Sequence, residues 1–467
     1  MFMDSFLKSY FLESIFAGKD IVCITNFIFC LSVRRTIFQA TSSATMTKIP
    51  QFEKNSPFRF STSYYFYPKF LNSHKMNITA GVLIFVLILG SQSKTEPTKT
   101  KQDENSWATR FADAIMARHD SLVFYNNNQP KYEYDYAFLG SAIDQLGNRD
   151  KKYSDYMKGY IDYFVRENGM IDGYKLLDYN IDRVRPGLNM LELYKRTGEE
   201  KYKKATEMLI SQMETHPRTN AGGFWHKKAY PSQMWLDGIY MASPFLARYA
   251  HDFNQPKWFD EIAFQIKLIY EKTRDSRTGL LYHAWDESRC QRWCNPETGQ
   301  SKHFWSRATG WYMMALVDVL DYLPENHSDR PALLKILNGL SESLLKVQDK
   351  KSGLWYQVLD QGGREGNYTE ASGTAMFVYA FAKGANKGYL DKKFLNIANR
   401  AFDNMIKTMI ITDSDGLPVL TNTCGACGLG GNPYREGDYH YYISEKQIDN
   451  DQKGVAPFIL AAIELGR

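Results

Sequence analysis

From about residue 107 to its end, the chain is predicted to be all-α. Apolar residues recur at i, i+3, i+4 and i+7 in nine segments, the spacing that places them on one face of a helix. A further run, residues 230–250, is apolar around most of its circumference, which is typical of a buried helix. The nine periodic segments are residues 153–165, 188–194, 202–213, 258–270, 311–323, 333–347, 375–385, 394–409 and 455–465.

A short motif repeats between these helices and predicts their arrangement. A helix ends, a polar turn follows, and a glycine then leads a short apolar or aromatic strand. Each interval between these glycines holds two helices, and stacked helical hairpins either extend as a solenoid or close into a ring. Six such units fit into residues 106–467, which favours an (α/α)6 barrel, a toroid of six helical hairpins with short rim strands and loops. The glycines, 54 to 74 residues apart, are Gly169, Gly223, Gly279, Gly353 and Gly416.

Asp237 is an ionisable group in the first turns of the apolar run at 230–250. We predict that Ser232 caps the N-terminus of this helix and that Pro244 kinks it. Carboxylates are rarely buried without a partner. Asp237 is therefore either a structural cap with its own hydrogen-bond partners or a functional acid.

The first 105 residues differ in composition from the rest of the chain. Residues 1–75 are rich in Phe, Tyr and Ser and lack helical periodicity, whereas residues 78–89 form an apolar run. That run is shorter than the ~20 residues that span a bilayer, but it suits a signal peptide. We interpret residues 1–75 as a non-core extension that is absent from the mature protein, and residues 76–105 as a signal peptide and disordered linker. Residues 106–467 are then the catalytic barrel domain.

Export follows from that interpretation. With Met76 as the working start, the mature protein is expected to be periplasmic or secreted, without a stable membrane span. Ser91 stands where a lipoprotein signal would place cysteine, so lipidation is not expected. The net charge of +5 comes from residues 1–105, and the remainder holds equal numbers of acidic and basic residues. A balanced domain gives no basis for nucleic-acid binding.

The cysteines leave more than one interpretation open. In an exported protein the last two of the three close pairs could form disulfides, and in a reducing compartment they would be thiols. Four of these cysteines have the loose spacing C-x3-C with C-x2-C, but no histidine pattern supports a zinc site. No metal ion and no organic cofactor is predicted. The pairs are Cys23 and Cys30, Cys290 and Cys294, and Cys424 and Cys427.

Polar and aromatic residues collect after the repeated glycines, where the loops of a barrel meet at one rim. Each of them alone has an ordinary structural explanation. Together they are typical of a sugar site, in which aromatic rings stack on sugars, acids hold hydroxyls and arginine holds a carboxylate. The group consists of Tyr179, Asp182, Trp225, His226, Lys227, Asp237, Tyr282, His283, Trp285, Asp286, Trp305, Arg307 and Trp311.

Three blocks of this region resemble a known family. They are WLDGIYMASPFLARYA, the HAWDES to FWSRATGWYMMALVDVLDYLP stretch, and GLGGNPYREGDYHYYISE with NDQKGVAPFILAAIE. They are similar to the unsaturated rhamnogalacturonyl hydrolases of glycoside hydrolase family 105, relatives of the unsaturated glucuronyl hydrolases, over roughly residues 106–467. Cys290, Cys294 and the CGAC sequence depart from the family pattern.

The resemblance implies an (α/α)6 barrel that hydrates the C4=C5 double bond of a terminal unsaturated uronic acid left by a polysaccharide lyase. Asp237 would protonate C4 and act as base to the water that adds at C5, and the resulting hemiketal would open and release the sugar chain. Asp182 would be the second acid and hold a sugar hydroxyl or the water. The implied substrate contacts, with Arg307 as carboxylate clamp and Trp305 or Trp311 as stacking floor, are Tyr134, His226, Lys227, His283, Trp305, Arg307 and Trp311.

The residues around Asp237 should shift its pKa and therefore affect how readily it donates a proton. The apolar helix should raise the pKa of this acid, its position near a helix N-terminus should lower it, and two close carboxylates should raise one of the two pKa values. Two alternatives stay open at this point. An inverting glycosidase on the same barrel would act on saturated glycosides, and a non-catalytic helical-repeat scaffold would need no inner Asp at all. The sugar beside the uronate, from rhamnogalacturonan or from ulvan, is not indicated.

Overall fold

The computed structural model describes residues 106–125 and 129–467, all within one compact unit that spans Pro97–Arg467. The expectations for residues 1–105, including the extension, the signal peptide and the pair Cys23 and Cys30, lie outside the described residues. None of the helices within the described ranges is long and apolar enough to cross a membrane.

Thirteen α-helices form in the described part of the chain, and all nine periodic segments are helical, as predicted. They are α1 (Trp107–Arg118), α2 (Tyr134–Asp144), α3 (Lys151–Phe164), α4 (Gly187–Thr197), α5 (Glu200–Thr215), α6 (Leu236–Asp252), α7 (Lys257–Thr273), α8 (Ser306–Leu320), α9 (Arg330–Lys346), α10 (Ala371–Asn386), α11 (Lys393–Met409), α12 (Tyr439–Ser444) and α13 (Gln452–Leu465). Four short strands pair as two antiparallel ladders: β1 (Gln233–Trp235) with β2 (Ala284–Asp286), and β3 (Ile410–Thr412) with β4 (Pro418–Leu420).

Six of these helices form a closed inner ring. Helix α2 contacts α4, α4 contacts α6, α6 contacts α8, α8 contacts α10, α10 contacts α13, and α13 returns to α2. Helix α1 packs against α13, so the first and last helices together make the sixth hairpin. The (α/α)6 barrel that the sequence predicted is therefore confirmed, with α1 and α13 as its sixth hairpin.

Burial explains which helices line the ring. Helices α8 and α10 are buried over almost their whole length, whereas the outer helix α11 buries one apolar face. Each large apolar side chain that is fully buried contributes about 1.5–3 kcal/mol to the free energy of folding. The all-round apolar character of the inner helices therefore holds them inside the outer ring.

The repeated glycine motif forms a tight turn after each of five outer helices. In four turns the predicted glycine has a positive φ, from +70° at Gly353 to +86° at Gly169, a conformation that glycine adopts without strain. In the second repeat the turn residue is Gly222, with φ +93°, and not Gly223 as predicted. Gly223 instead follows the turn, where its carbonyl accepts a hydrogen bond from the amide of Thr219 at 2.8 Å.

Helix α6 begins later than predicted. Ser232 is not its N-cap, because Ser232 has a φ of +62° and the next three residues are strand β1. The extended Trp235 precedes the helix and supplies no side-chain cap, which leaves Asp237 in the first turn. The helix continues through Pro244 to Asp252, and the predicted kink stays a prediction.

Close packing within the inner ring predicts the effect of adding one methyl group. A Cβ on Gly310 of α8 would lie 2.8 Å from both Cβ and Sδ of Met376 on α10. We expect Gly310→Ala to lower the free energy of unfolding by about 1–3 kcal/mol, measured by denaturant unfolding. Gly339→Ala on α9 meets nothing within 4 Å and should raise it by about 0.5–1 kcal/mol through helix propensity. Equal stability of the two variants would contradict this packing.

Candidate active site

Strands β1 and β2 bring the two central parts of the candidate site together. Trp235 pairs with Ala284, and the amide of Leu236 donates to the carbonyl of His283 at 3.1 Å. His283 therefore lies beside the first turn of α6, where Asp237 projects. This pairing joins segments that are about 50 residues apart in the sequence.

Asp237 and His283 face each other without a hydrogen bond between them. Nε2 of His283 lies 3.4 Å from Oδ2 of Asp237, and within the described residues neither atom has a hydrogen-bond partner although both are buried. The other ring nitrogen, Nδ1, lies 2.9 Å from the hydroxyl of Tyr442. Tyr442 and His283 are fully buried, whereas the Asp237 side chain is 14% exposed. A carboxylate with an open coordination and a fixed imidazole beside it is arranged for proton transfer.

Asp182 is held very differently. It lies in a 3-10 turn, Ile181–Val184, which the amide of Ile181 anchors to the carbonyl of His226 at 3.2 Å. Its Oδ2 forms an ion pair with Nζ of Lys227 at 2.6 Å, and its Oδ1 lies 3.4 Å from Nε2 of His226. This carboxylate is therefore anchored by a cation, whereas Asp237 is not.

The charges around Asp182 determine its protonation. Burial alone would raise the pKa of Asp182, but the Lys227 ammonium and the neighbouring His226 outweigh it and hold that pKa below its usual range. The sequence predicted a raised pKa for one of two close carboxylates, and Asp182 is not that one. Burial lowers the pKa of His226 to about 4, although Asp182 acts in the opposite direction. The site thus holds an ionised Asp182, a protonated Lys227 and a neutral His226 at neutral pH.

Tyr134 lies beside both acids. Burial raises the pKa of Tyr134, and the charges of Asp135, Asp182 and Asp237 raise it further. Its ring meets the edge of Trp311 at a centroid distance of 6.2 Å. Its hydroxyl therefore keeps its proton and could donate a hydrogen bond to a sugar hydroxyl.

Arg307 makes several contacts within the protein. The residue is 2% exposed, and its guanidinium donates to the carbonyl of Cys424, to Oγ of Ser372 at 3.2 Å and to the carbonyl of Gly425 at 3.5 Å. It also lies 4.7 Å over the ring of Trp305. Its burial and these contacts do not favour the sequence-based expectation that Arg307 clamps a substrate carboxylate.

The predicted stacking floor is also absent from Trp305 and Trp311. They are 1% and 0% exposed, so neither presents a ring face. Trp311 stacks on Tyr240 at 4.8 Å, and Trp305 donates from Nε1 to Gln357 at 3.0 Å. Both rings are buried and support the residues that line the site.

A different aromatic stack faces the site, and the sequence analysis missed it. The ring of His226 lies parallel to Trp235 at 4.6 Å, and Trp235 lies parallel to Tyr230 at 5.0 Å. Tyr230 is half-buried, and its hydroxyl accepts a hydrogen bond from Arg435 at 3.0 Å. Tyr230 and Trp235 stand in the apolar run at residues 230–250. The sequence predicted a helix capped by Ser232 there, and strand β1 was not predicted.

Asp286, another rim residue, has a structural role. Asp286 is fully buried, and its carboxylate accepts hydrogen bonds from the amides of Ser288, Cys290 and Gln291, each at 3.0 Å. Within the described residues no group of three or more His, Cys, Asp and Glu side chains could hold a metal ion. The zinc set that the cysteine spacing left open is therefore not assembled.

Comparison with known proteins gives this geometry a context. Residues 107–467 match the profile of Glycosyl Hydrolase Family 88. A solved family 105 glycoside hydrolase from C. acetobutylicum ATCC 824 is 45% identical and has a TM-score of 0.75, with 77% of this chain and 99% of that chain covered. The fold and the resemblance stated from the sequence are both confirmed by these similarities.

Two further relatives carry the names of their activities. The unsaturated rhamnogalacturonyl hydrolase YesR of Bacillus subtilis (strain 168) is 27% identical over 51% of this chain and 66% of its own length. The unsaturated 3S-rhamnoglycuronyl hydrolase of Formosa agariphila is 30% identical over 34% of this chain and 42% of its own length.

The neutral buried histidines predict how stability depends on pH. Burial lowers the pKa of both His216 and His226 from 6.5 to about 4. The unfolded chain therefore binds protons below pH 6.5 that the folded chain binds only near pH 4, so the free energy of unfolding should fall as pH falls through that window. Denaturant unfolding from about pH 7 to about pH 4 should show this slope, and His226→Gln should reduce it. The exposed His251 offers the control, and a slope that His251→Gln reduces as much as His226→Gln would contradict the assignment.

Proposed function

The chain belongs to the glycoside hydrolases of families 88 and 105, and from this premise we propose that it acts on oligosaccharides that end in a 4,5-unsaturated uronic acid. It removes that residue by adding water across the C4=C5 double bond. The observation that carries the proposal is the position of Asp237, a carboxyl group with a buried, unpartnered Oδ2 within the described residues, 3.4 Å from an equally unpartnered His283 Nε2.

Proton transfer by one carboxyl group accounts for the whole reaction. Asp237 in its acid form gives a proton to C4, and positive charge develops at C5 beside the ring oxygen. The resulting carboxylate takes a proton from a water molecule, whose oxygen bonds to C5, and Asp237 returns to its starting state. The product is a hemiketal, which opens and releases the neighbouring sugar. His283 is fixed through Tyr442 and holds the position of the Asp237 carboxyl group.

The ion pair of Asp182 and Lys227 suits a binding role. Asp182 stays ionised and accepts hydrogen bonds from substrate hydroxyls, since carboxylates in that state are acceptors only. Lys227 keeps 26% of its side chain exposed and has donors left for the uronate carboxylate. We assign the carboxylate contact to Lys227 because it is partly exposed, whereas Arg307 is buried and already donates to Ser372, Cys424 and Gly425. The half-buried Tyr230, which is stacked on Trp235, offers the aromatic surface.

An inverting glycosidase fits this geometry less well. Such an enzyme needs a second carboxylate that acts as a base toward water. The Lys227 ammonium holds the pKa of Asp182 below its usual range, which makes this carboxylate a weak base. Of these two acids, Asp237 has no Lys or Arg ion pair within the described residues, and a hydration that uses one acid-base group needs no second one.

The sugar next to the uronate is proposed to be rhamnose. The names of the relatives from Bacillus subtilis and Formosa agariphila point to rhamnogalacturonan fragments and to sulfated rhamnose-containing fragments such as those of ulvan. Arg292, a cation that could otherwise contact a sulfate, forms an ion pair with Glu436 at 2.6 Å and lies 4.0 Å from the ring of Tyr434. This pairing favours the unsulfated substrate. Export of the mature protein, inferred from the apolar run at residues 78–89, is part of the same proposal.

Ultraviolet absorbance of the conjugated uronate tests the substrate class. The purified protein is given lyase-cut oligosaccharides from rhamnogalacturonan and, separately, from ulvan. We expect loss of absorbance on the rhamnogalacturonan fragments. Loss on ulvan fragments alone would move the assignment to the sulfated substrate, and no loss on either with a folded protein would overturn the proposed function.

Replacing Asp237 separates its chemical role from its structural one. Asp237→Asn keeps the shape of the side chain but cannot donate or accept the proton in the reaction, so kcat should fall by about 10²- to 10⁴-fold. The circular dichroism spectrum should stay unchanged, and the unfolding midpoint should not fall, because the variant removes a buried carboxylate oxygen that has no partner. Asp252→Asn, at the other end of α6, is the matched control and should keep full activity. Activity within about tenfold of the wild type in Asp237→Asn would contradict the role assigned to it.

Replacing Lys227 tests the carboxylate contact. Loss of a hydrogen bond between charged groups weakens binding by about 1.5–3 kcal/mol, so Lys227→Met should raise KM by roughly 10- to 100-fold. The neighbouring Lys228 is exposed and donates to the carbonyl of Leu177 at 3.2 Å. Lys228→Met should therefore leave KM almost unchanged. A normal KM in Lys227→Met together with a raised KM in Arg307→Lys would return the clamp to Arg307.

A further inference from the structure

Cys424 and Cys427 are two thiols in contact. Their Sγ atoms lie 3.4 Å apart in the loop between β4 and α12, at the ends of the sequence Cys-Gly-Ala-Cys. A disulfide bond requires a separation of about 2.0 Å, so a shift of little more than an ångström closes it. The C-x-x-C spacing is that of dithiols that cycle between thiol and disulfide forms.

The other described cysteine pair has a different environment. The thiol of Cys294 donates to the carbonyl of Gln291 at 3.2 Å and lies 3.8 Å from Asp286. Burial and the Asp286 charge raise the pKa of Cys294 to about 12. The thiol of Cys290 lies 3.3 Å from the carbonyl of Ser288. Both thiols are hydrogen-bonded to backbone carbonyls. The Cys290 and Cys294 pair therefore serves as the reference with which Cys424 and Cys427 are compared.

The electrostatics around Cys424 favour its thiolate. The hydrogen bond from Cys427 lowers the pKa of Cys424 against the opposing effect of burial, and the Arg307 charge lowers it further. Burial raises the pKa of Cys427, and the neighbouring Cys424 raises it further. One sulfur of the pair is thus prepared to attack, while the other retains its proton.

The loop that carries this pair also holds groups of the candidate site. The carbonyl of Cys424 accepts from Arg307, and its amide donates to Glu370 at 3.0 Å. The amide of Gly428, the residue after Cys427, donates to the hydroxyl of Tyr441 on α12 at 3.0 Å. Tyr442, the next residue of α12, is the one that fixes His283.

A second contact joins the pair to Tyr442. Nε2 of Gln357 lies 3.6 Å from Sγ of Cys427 and donates to the carbonyl of Tyr442 at 3.0 Å. The position of Cys427 is thereby connected to α12 from two sides. A bond between the sulfurs would restrict this loop and, with it, the residue that orients the partner of Asp237.

We propose that Cys424 and Cys427 form a reversible disulfide in the folded protein and that this bond fixes α12, and through Tyr442 the His283 ring, in position. The co-reactant is a disulfide. Cys427, the more exposed of the two, passes its proton to the Cys424 thiolate and attacks the co-reactant, which forms a mixed disulfide and releases one thiolate. That thiolate takes the proton from Cys424, and Cys424 then attacks the Cys427 sulfur and releases the second thiol. The protein loses two hydrogens and two electrons, and the co-reactant gains them. The effect on turnover rests on the proposed function, whereas the bond and the ordering of α12 do not.

The experiment compares the full protein after treatment with oxidised glutathione and after treatment with dithiothreitol. Mass spectrometry should show the oxidised form lighter by two hydrogens, with a bond between Cys424 and Cys427. Hydrogen–deuterium exchange of Tyr439–Ser444 should be slower in the oxidised form, and kcat on the unsaturated substrate should be several-fold higher. Cys427→Ser should respond to neither treatment, and Cys290→Ser should respond as the wild type does.

Each outcome decides one part of the proposal. Two free thiols after oxidised glutathione would overturn the disulfide. A disulfide that leaves the exchange of Tyr439–Ser444 unchanged would overturn its positioning role. Absence of turnover in both forms would count against the proposed function, while the mass and the exchange would still decide the disulfide.

Discussion

The pairing of β1 with β2 is the interaction on which the candidate site depends. It keeps the chain extended to Trp235, so that helix α6 begins at Leu236 and Asp237 falls in its first turn. The same pairing sets His283 beside that turn. A helix that began at Ser232 would carry Asp237 more than one turn further along the helix. The closed ring of inner helices gives this ladder a fixed rim on which to form.

Partners within the protein divide the polar groups of the rim into two classes. Arg307 and Asp286 are fully buried and have protein groups for their donors and acceptors. Asp182 is neutralised by Lys227. Asp237 is the acid whose buried oxygen has no hydrogen-bond partner in residues 106–125 and 129–467. An unpaired buried carboxylate destabilises the fold, and that cost is consistent with a group kept for chemistry.

Local patterns in the sequence were sufficient to predict the helices and the barrel. Periodicity of apolar residues located every predicted helix, because burial of one face is a local property of the sequence. Contacts between distant residues were not accessible in this way. Strand β1 exists because of residues about 50 positions later, and the carbonyl that occupies Arg307 stands 117 positions away. The structure brings Asp182, Lys227 and His226 together and sets His283 beside Asp237. The aromatic stack on Tyr230 and the support from Tyr442 depend on the tertiary structure and were not predicted.

The order of two events tests the central claim that Asp237 hydrates the C4=C5 double bond. Rapid mixing records the loss of double-bond absorbance, and quenched samples from the same reaction record release of the neighbouring sugar. Hydration opens the linkage only after the hemiketal forms, so the account predicts that absorbance is lost before or together with sugar release. Sugar release that runs ahead of the loss of absorbance would show direct cleavage of the glycosidic bond and would contradict the account.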